Sequence, residues 1–255
     1  MKKTILAILA GFAVLAVASG VSATMLIPAA DQAKENAKAP EKSPVITETN
    51  GGEWGLERVD FIHYAKPNGP AKPAKTETCY KLMGVKWNPL PVSYIINPTN
   101  SQGLGENFVA SAISTSAETW DEATSKELFN DAYTIDTAVQ YGDQDYKNAI
   151  AFGDYPDSRV IAVTSVWYTR VGKRIVEFDV LFNTGFAWGD ALGGSSVMDL
   201  QNITTHELGH AVGLSDIYST TCSAVTMYGY SDYGETQKRT LEQADITGLQ
   251  KIYGI

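Results

Sequence analysis

The sequence predicts a mixed α+β fold, because β-forming runs and amphipathic helical patterns follow one another along the chain. β-Branched and aromatic residues dominate four runs: Val92 to Ile96, Ala149 to Phe152, Val160 to Tyr168 and Arg174 to Phe182. Apolar residues recur at helical spacing in three other stretches: 106–123, 196–213 and a last one that begins at Thr240.

Composition and charge limit the classes of function. With 255 residues, 44% of them hydrophobic, the chain can bury one good-sized core. The formal net charge is −9, and an acidic surface argues against binding to nucleic acid or to an anionic membrane. A monomer is expected.

The N-terminus has the pattern of a targeting segment. Two lysines precede an uncharged run from Thr4 to Ala30, whose most apolar part, Ile5 to Ala18, has the length of a signal h-region. Small residues at 21–23 offer a cleavage site. Residues 1–23 are therefore predicted to be a signal peptide of a secreted protein. The alternative is an uncleaved anchor that holds the protein on the outer face of a membrane.

Residues 24–75 are predicted to be a linker or pro-segment. Residues 31–56 are rich in Lys, Glu, Ala and Pro, and residues 67–73 contain three prolines. Between them, the apolar island Val59 to Tyr64 could be a strand that packs on the main domain. The folded domain is predicted to occupy residues 76–255.

One stretch carries the spacing of a zinc site. His206 and His210 are four residues apart, so on a helix both project from one face towards a single ion. Glu207 stands beside them as the candidate general base for a zinc-bound water. A catalytic zinc needs a third protein ligand. Asp216 is placed to supply it, because Gly213 can adopt the positive φ that turns the chain back under the metal.

The helix of this motif is predicted to start with a Ser196–Asp199 capping box and to end at Gly213. At about 100° per residue, the two histidines face away from the apolar stripe and into a cleft. A second capping box, Thr240 with Gln243, is predicted to start the last helix. The apolar stripe contains Val197, Leu200, Thr204, Leu208, Ala211 and Val212.

The chain has two cysteines, Cys79 and Cys222. In an exported chain the expected outcome is one disulfide that closes a long loop. The alternative is a thiolate that caps the zinc and keeps an enzyme latent.

These residues together resemble the metzincin clan of zinc peptidases, most closely its matrixin-like branch. His206 to Asp216 matches H-E-x-x-H-x-x-G-x-x-H/D, and residues 225–228 look like the clan's Met-turn, with Met227 beneath the metal. Residues 245–254 are similar to the matrixin C-terminal helix. The resemblance covers roughly residues 76–255.

The resemblance implies a twisted mixed sheet backed by the helix at 106–123. It places Val160 to Tyr168 as the edge strand beside the cleft, where an extended peptide can pair with it. Tyr228 to Ser231 would form a wall of the pocket for the side chain after the scissile bond.

The chain departs from the matrixin pattern in three ways. Asp216 stands where most matrixins have histidine, and a minority of metzincins, such as the snapalysins, also carry aspartate there. The one spare histidine, His63, lies outside the predicted domain. No P-R-C-G-type cysteine switch precedes the domain. Gly229 stands where astacin-like relatives place a tyrosine two residues after Met227.

The predicted function is that of an exported zinc endopeptidase that acts on peptide or protein substrates. Zinc activates water and polarises the carbonyl, and Glu207 transfers the proton. Alternatives are a zinc-binding cell-surface protein without catalysis, or a peptidase dedicated to its own processing. Calcium is a further candidate ion at loop aspartates: Asp143, Asp145, Asp154 and Asp157.

Overall fold

The computed structural model describes residues 45–47, 55–67, 78–194 and 196–255. The predicted signal peptide at residues 1–23 lies outside these ranges. Within them, no helix is long and apolar enough to cross a bilayer.

The strands build a mixed sheet with the order β1-β2-β7-β8-β6-β4-β5, in which β11 pairs with β2 and β3 pairs with β8. β9 and β10 form a separate parallel pair. The strands are β1 (Val45–Thr47), β2 (Leu56–Ala65), β3 (Lys86–Trp87), β4 (Ile95–Asn97), β5 (Thr134–Ile135), β6 (Ala149–Gly153), β7 (Val160–Thr169), β8 (Arg174–Asn183), β9 (Trp188–Gly189), β10 (Met198–Asp199) and β11 (Tyr230–Ser231).

The mixed α+β architecture confirms the predicted fold class. The runs predicted at 149–152, 160–168 and 174–182 correspond to β6, β7 and β8. β8 is parallel to β6 and antiparallel to β7, and both β7 and β8 are almost entirely buried. Residues buried on both faces of a sheet are expected to be β-branched and aromatic, as they are here.

Helix α1 (Glu106–Asp121) packs behind helix α2 (Leu200–Ala211), as the helical pattern at 106–123 predicts. The Trp120 indole N–H donates to Thr205 O at 2.8 Å. The Ser116 hydroxyl donates to Gln201 O at 3.1 Å. These bonds satisfy polar groups of a helix that is buried between α1 and the sheet.

Two helix starts differ from the predicted ones. α2 begins only after Asp199, whose carboxylate accepts from Asn202 N at 2.8 Å, because Met198 and Asp199 are held extended in β10. The capping box predicted at Ser196 is therefore wrong.

The last helix, α3 (Gln243–Tyr253), also starts later than predicted, because Thr240 has extended backbone angles. The Asp245 carboxylate accepts from the backbone N–H of Glu242 at 3.0 Å. The predicted pair of Thr240 and Gln243 is therefore wrong. The helix ends before Gly254, as expected.

The expected edge strand is not an edge in this chain. β2 pairs antiparallel with β7 from Leu56↔Thr169 to Tyr64↔Val160, and β1 covers the other side of β2. The apolar island at 59–64 thus forms a strand, and it extends the main sheet into the segment predicted to be a linker. Whether residue 76 is the start of a mature domain stays a prediction.

Candidate metal centre and active site

Three potential ligand atoms converge at the C-terminal end of α2. His206 and His210 project from one face of the helix, and their Nε2 atoms are 3.2 Å apart. Gly213 has a φ of 99°, the positive value that the turn after the helix was expected to need. This turn brings Asp216 Oδ1 to 3.2 Å from His206 Nε2 and 3.5 Å from His210 Nε2.

Backbone carbonyls fix the orientation of both imidazole rings. His206 Nδ1 is 2.7 Å from Thr226 O, and His210 Nδ1 is 2.9 Å from Leu214 O. A carbonyl oxygen only accepts, so each Nδ1 carries the proton and each Nε2 presents its lone pair. This arrangement is the usual one for metal-binding histidines.

The three converging atoms fit a tetrahedral zinc ion. Ligand bonds of about 2.05 Å at tetrahedral angles place ligand atoms about 3.3 Å apart, close to the three separations observed. Asp216 Oδ1 is buried and accepts no hydrogen bond. Two lone pairs and a carboxylate oxygen that face one another need a cation between them.

The electrostatics of the centre also favour a cation. Burial lowers the pKa of His206 to about 4. Burial opposes the charge of Asp216 too, but the two histidines outweigh it and hold the pKa of Asp216 below its usual range. Burial acts to lower the pKa of His210, yet the Asp216 carboxylate outweighs it and raises that pKa. The carboxylate therefore keeps a negative potential at this point.

Glu207 lies next to the three atoms, on the side of α2 that faces β7. Its Oε2 accepts a hydrogen bond of 2.5 Å from the Thr164 hydroxyl on β7. Burial raises the pKa of Glu207 to about 7. A carboxyl group with a pKa near neutrality can take up and release a proton at physiological pH.

Met227 packs directly beneath α2. Its side chain is 1% exposed, and a Cβ built on Gly209 would lie 3.0 Å from its Cε atom. Asp245 holds this turn, because its carboxylate accepts from Thr226 N at 2.8 Å and from Met227 N at 3.2 Å. The turn also supplies the Thr226 carbonyl that orients His206.

His63 is the residue of the site that sequence reasoning misplaced. It was predicted to lie outside the catalytic domain and away from the site, but β2 brings its Nδ1 to 2.9 Å from Glu207 Oε1 and its ring to 4.0 Å from the ring of His206. Burial lowers the pKa of His63 well below its usual value. Strand alternation, which puts Phe61 and His63 on one face, was the available signal.

Cys79 and Cys222 form a disulfide that spans 143 positions of the chain. It joins the segment before β3 to the loop that follows Asp216. It thus fastens the loop beside the candidate centre.

Two of the four aspartates considered for calcium are held in ion pairs with nearby basic residues. Asp145 pairs with Lys147 at 2.9 Å, and Asp157 pairs with Arg159 at 2.7 Å. In the part of the chain that the structure describes, no group of three metal-ligating side chains includes any of the four. The structure offers no support for a calcium site there.

A helix with H-E-x-x-H on a mixed sheet, a methionine turn beneath it and a C-terminal helix define a metzincin-like fold. The matrixin family model matches residues 86–254, and the chain belongs to the matrixin family. Membership in this family supports the function of a zinc metalloendopeptidase.

Several matrix metalloproteinases are similar to this chain. Human matrix metalloproteinase-16 is 25% identical over 183 residues, which cover 69% of this chain and 28% of the relative. The mouse protein of the same name gives the same figures. Human matrilysin is 38% identical over 76 residues, which cover 30% of this chain and 27% of the relative. The matched region thus spans little more than a quarter of each of these relatives.

Proposed function

We propose that this chain is a zinc-dependent endopeptidase in which His206, His210 and Asp216 hold the ion and Glu207 is the general base. The convergence of two imidazole lone pairs and one unbonded carboxylate oxygen carries the proposal. Three protein ligands leave a fourth position open, which is the pattern of catalytic zinc sites.

If zinc is held at this position by His206, His210 and Asp216, it would polarise a scissile carbonyl and would lower the pKa of an attacking water. Glu207 accepts the proton of that water and delivers it to the leaving amine. The Thr164 hydroxyl holds one carboxylate oxygen of Glu207. The other oxygen, which bonds to His63 in this structure, would receive the proton. The carbonyls of Thr226 and Leu214 keep both imidazoles in the metal-binding tautomer.

The substrate is proposed to be an extended peptide held along β7. The main-chain groups of β7 that pair with β2 in this structure would form the strand edge to which a peptide adds once β2 is displaced. Residues 228–231 form the opposite wall. A peptide between them passes directly over the face of α2 that carries Glu207.

The protein is proposed to work outside the cell, after cleavage of the signal peptide at residues 1–23 or while that segment anchors it. The Cys79–Cys222 disulfide supports an oxidising compartment. If the segment is kept, the membrane is a further partner.

Two alternative functions can be distinguished from this one by experiment. A zinc-binding surface protein would need no base, so the hydrogen-bonded position of Glu207 argues against it. A peptidase dedicated to its own processing would bind zinc and cleave itself but would leave other proteins intact.

The decisive experiment combines metal analysis with hydrolysis of casein, with and without a chelator, before and after limited trypsin digestion. One zinc per chain and chelator-sensitive hydrolysis are expected. Glu207→Ala should keep the zinc and lower kcat by about 10²- to 10⁴-fold, the usual contribution of a general base. Full activity in Glu207→Ala would exclude the proposed mechanism.

A further inference from the structure

β2 fills the space in which a substrate is expected to lie. It pairs antiparallel with β7 over almost its whole length, and parallel with β11 at Tyr230↔Tyr64 and Ser231↔Ala65. Backbone bonds of 2.8 Å, Ala65 N to Arg159 O and Lys66 N to Ser231 O, extend both pairings. The strand therefore occupies the edge of β7 and the opposite wall of the cleft at the same time.

The side chains of β2 that face α2 cover the reactive groups. The Phe61 ring is stacked on the His210 ring, with centroids 4.0 Å apart and planes 8° apart. His63 covers His206, and its Nδ1 bonds to Glu207 at 2.9 Å. The strand thus contacts both imidazoles and the proposed base.

The consequence is a centre with no access for a peptide. His206 and Glu207 are 0% exposed, His210 is 1% exposed and Asp216 is 4% exposed. Phe61 and His63, which cover them, are 0% and 1% exposed. A scissile bond cannot approach Glu207 while β2 is in place, because the strand and the peptide need the same space.

A buried polar network fixes β2 from its other face. Arg58 Nε donates to Asp60 Oδ1 at 2.7 Å, and Arg58 Nη2 donates to the Ser165 hydroxyl at 2.9 Å. Ser165 in turn donates to Asp60 Oδ1 at 2.6 Å and bonds to the Tyr141 hydroxyl at 2.7 Å. The Arg58 guanidinium lies 4.8 Å from the ring centroid of Trp167 on β7. Such a network specifies one register for the strand.

A second network holds His63 at the wall of the cleft. His63 Nε2 is 3.1 Å from the Ser231 hydroxyl on β11. The fully buried Lys238 ammonium donates to the same hydroxyl and to Tyr230 O, and it pairs with Glu235 at 3.1 Å. Both ring nitrogens of His63 thus have partners, one on the catalytic helix and one on the wall.

We propose that β2 is a built-in inhibitor strand: it occupies the substrate cleft, His63 binds the proposed base, and the enzyme is active only when the strand leaves. The inference rests on the proposed function and adds its regulation. The sequence left open that a cysteine thiolate caps the zinc and keeps the enzyme latent, but both cysteines are joined in the disulfide. In this proposal, His63 on β2 blocks the site instead.

The test uses the full chain, loaded with zinc, with a site for a sequence-specific protease introduced within residues 68–75. Three measurements are made before and after the cut: hydrolysis of a fluorogenic peptide, binding of a small hydroxamate that chelates zinc, and hydrogen exchange of the β7 amides that face β2. All three are expected to rise about tenfold or more after the cut and gel filtration, because a strand that leaves unpairs the β7 edge.

Two variants of the uncut chain test the contacts separately. His63→Phe keeps a ring over His206 but loses both hydrogen bonds, and Arg58→Met breaks the network on the other face. Each should raise hydroxamate binding about tenfold, as expected when a buried polar partner is lost. Lys66→Ala, an exposed position just after β2, is the control and should change nothing.

The outcomes separate the two proposals. If hydroxamate binding and β7 exchange rise on cutting but no peptide is hydrolysed, the strand is an inhibitor of access and the proposed peptidase activity fails. If the uncut chain hydrolyses peptide and binds hydroxamate as well as the cut chain while β7 stays protected, the inhibitor strand is refuted. If peptide hydrolysis, hydroxamate binding and hydrogen exchange of β7 all stay low after the cut, the inhibitor strand is refuted as well.

Discussion

The Tyr218 hydroxyl donates a hydrogen bond of 3.1 Å to Oδ2 of Asp216, the carboxylate oxygen that does not face the two histidines. Gly229 makes room for this contact. A Cβ at position 229 would lie 2.7 Å from Tyr218 Cζ and 3.0 Å from Asp216 Oδ1. Gly229 therefore allows a tyrosine from another position in the chain to orient the aspartate.

Tyr218→Phe removes this hydrogen bond and keeps the ring. We expect zinc affinity to fall about 10- to 100-fold, the usual effect of losing a partner that orients a metal ligand. Competition with a chelator of known affinity measures the change.

Tyr233→Phe is the matched control, because Tyr233 is 45% exposed. Its zinc affinity should equal that of the unmodified chain. Equal affinity in Tyr218→Phe would mean that Asp216 needs no orienting partner.

Asp216→Asn tests the third ligand through stability. An ion that binds only the folded chain stabilises it by about 4 kcal/mol at a thousandfold excess over its Kd. Zinc should therefore raise the Tm of the unmodified chain, and this rise should shrink strongly in Asp216→Asn because a neutral amide is a poor substitute for the carboxylate. Differential scanning calorimetry with and without zinc gives both values.

Asp143→Asn makes the same change of charge at an exposed loop position. It should keep the full zinc-dependent rise in Tm. A full rise in Asp216→Asn as well would remove Asp216 from the ligand set.

Gly209→Ala tests how closely the Met-turn and α1 pack against α2. A Cβ at position 209 would lie 2.7 Å from Trp120 Cζ2, and Trp120 cannot retreat easily because its indole N–H is bonded to Thr205 O. Overpacking costs about 1–3 kcal/mol, which the better helix propensity of alanine offsets by about 1 kcal/mol. Urea unfolding should show a net loss of stability.

The control for this substitution is Gly193→Ala, where a new Cβ meets nothing within 4 Å. Its stability should stay within about 0.5 kcal/mol of the unmodified chain, as for most surface changes. Equal stabilities in the two variants would show that the space beside Trp120 is larger than the structure indicates.

The three predicted ligands converge in the structure because they are close in sequence. The separation of His206 and His210 is a property of one helix, and Gly213 turns the chain within a few residues to bring Asp216 beside them. The helical periodicity also separated the histidines from the apolar stripe. The same periodicity could not show that another strand fills the cleft.

Long-range pairing explains what the sequence could not show. His63 meets Glu207 across 144 positions, and only the register of β2 on β7 brings them together. No residue pattern around His63 encodes that register, because it depends on Ser165 and Tyr141, which bind Arg58 and Asp60 from other strands and loops. The start of α2 was predicted wrongly for a related reason, since the pairing of β10 with β9 holds Asp199 extended.

Gly213→Ala tests whether the turn after α2 positions the centre. The substitution places a Cβ 2.6 Å from the Val85 carbonyl oxygen and forces alanine to a φ of 99°. Gly84→Ala is the control, because Gly84 also has a positive φ, 83°, but an added Cβ there meets nothing within 4 Å. Both variants should lose about 1–2 kcal/mol of stability, because alanine is strained in the left-handed conformation.

Only Gly213→Ala adds the contact with a backbone atom, which should cost about 1–3 kcal/mol more. Since Asp216 follows three residues later, Gly213→Ala should also weaken zinc binding, whereas Gly84→Ala should not. Equal losses of stability and unchanged zinc affinity in both would show that the turn can move away from Val85 without displacing Asp216.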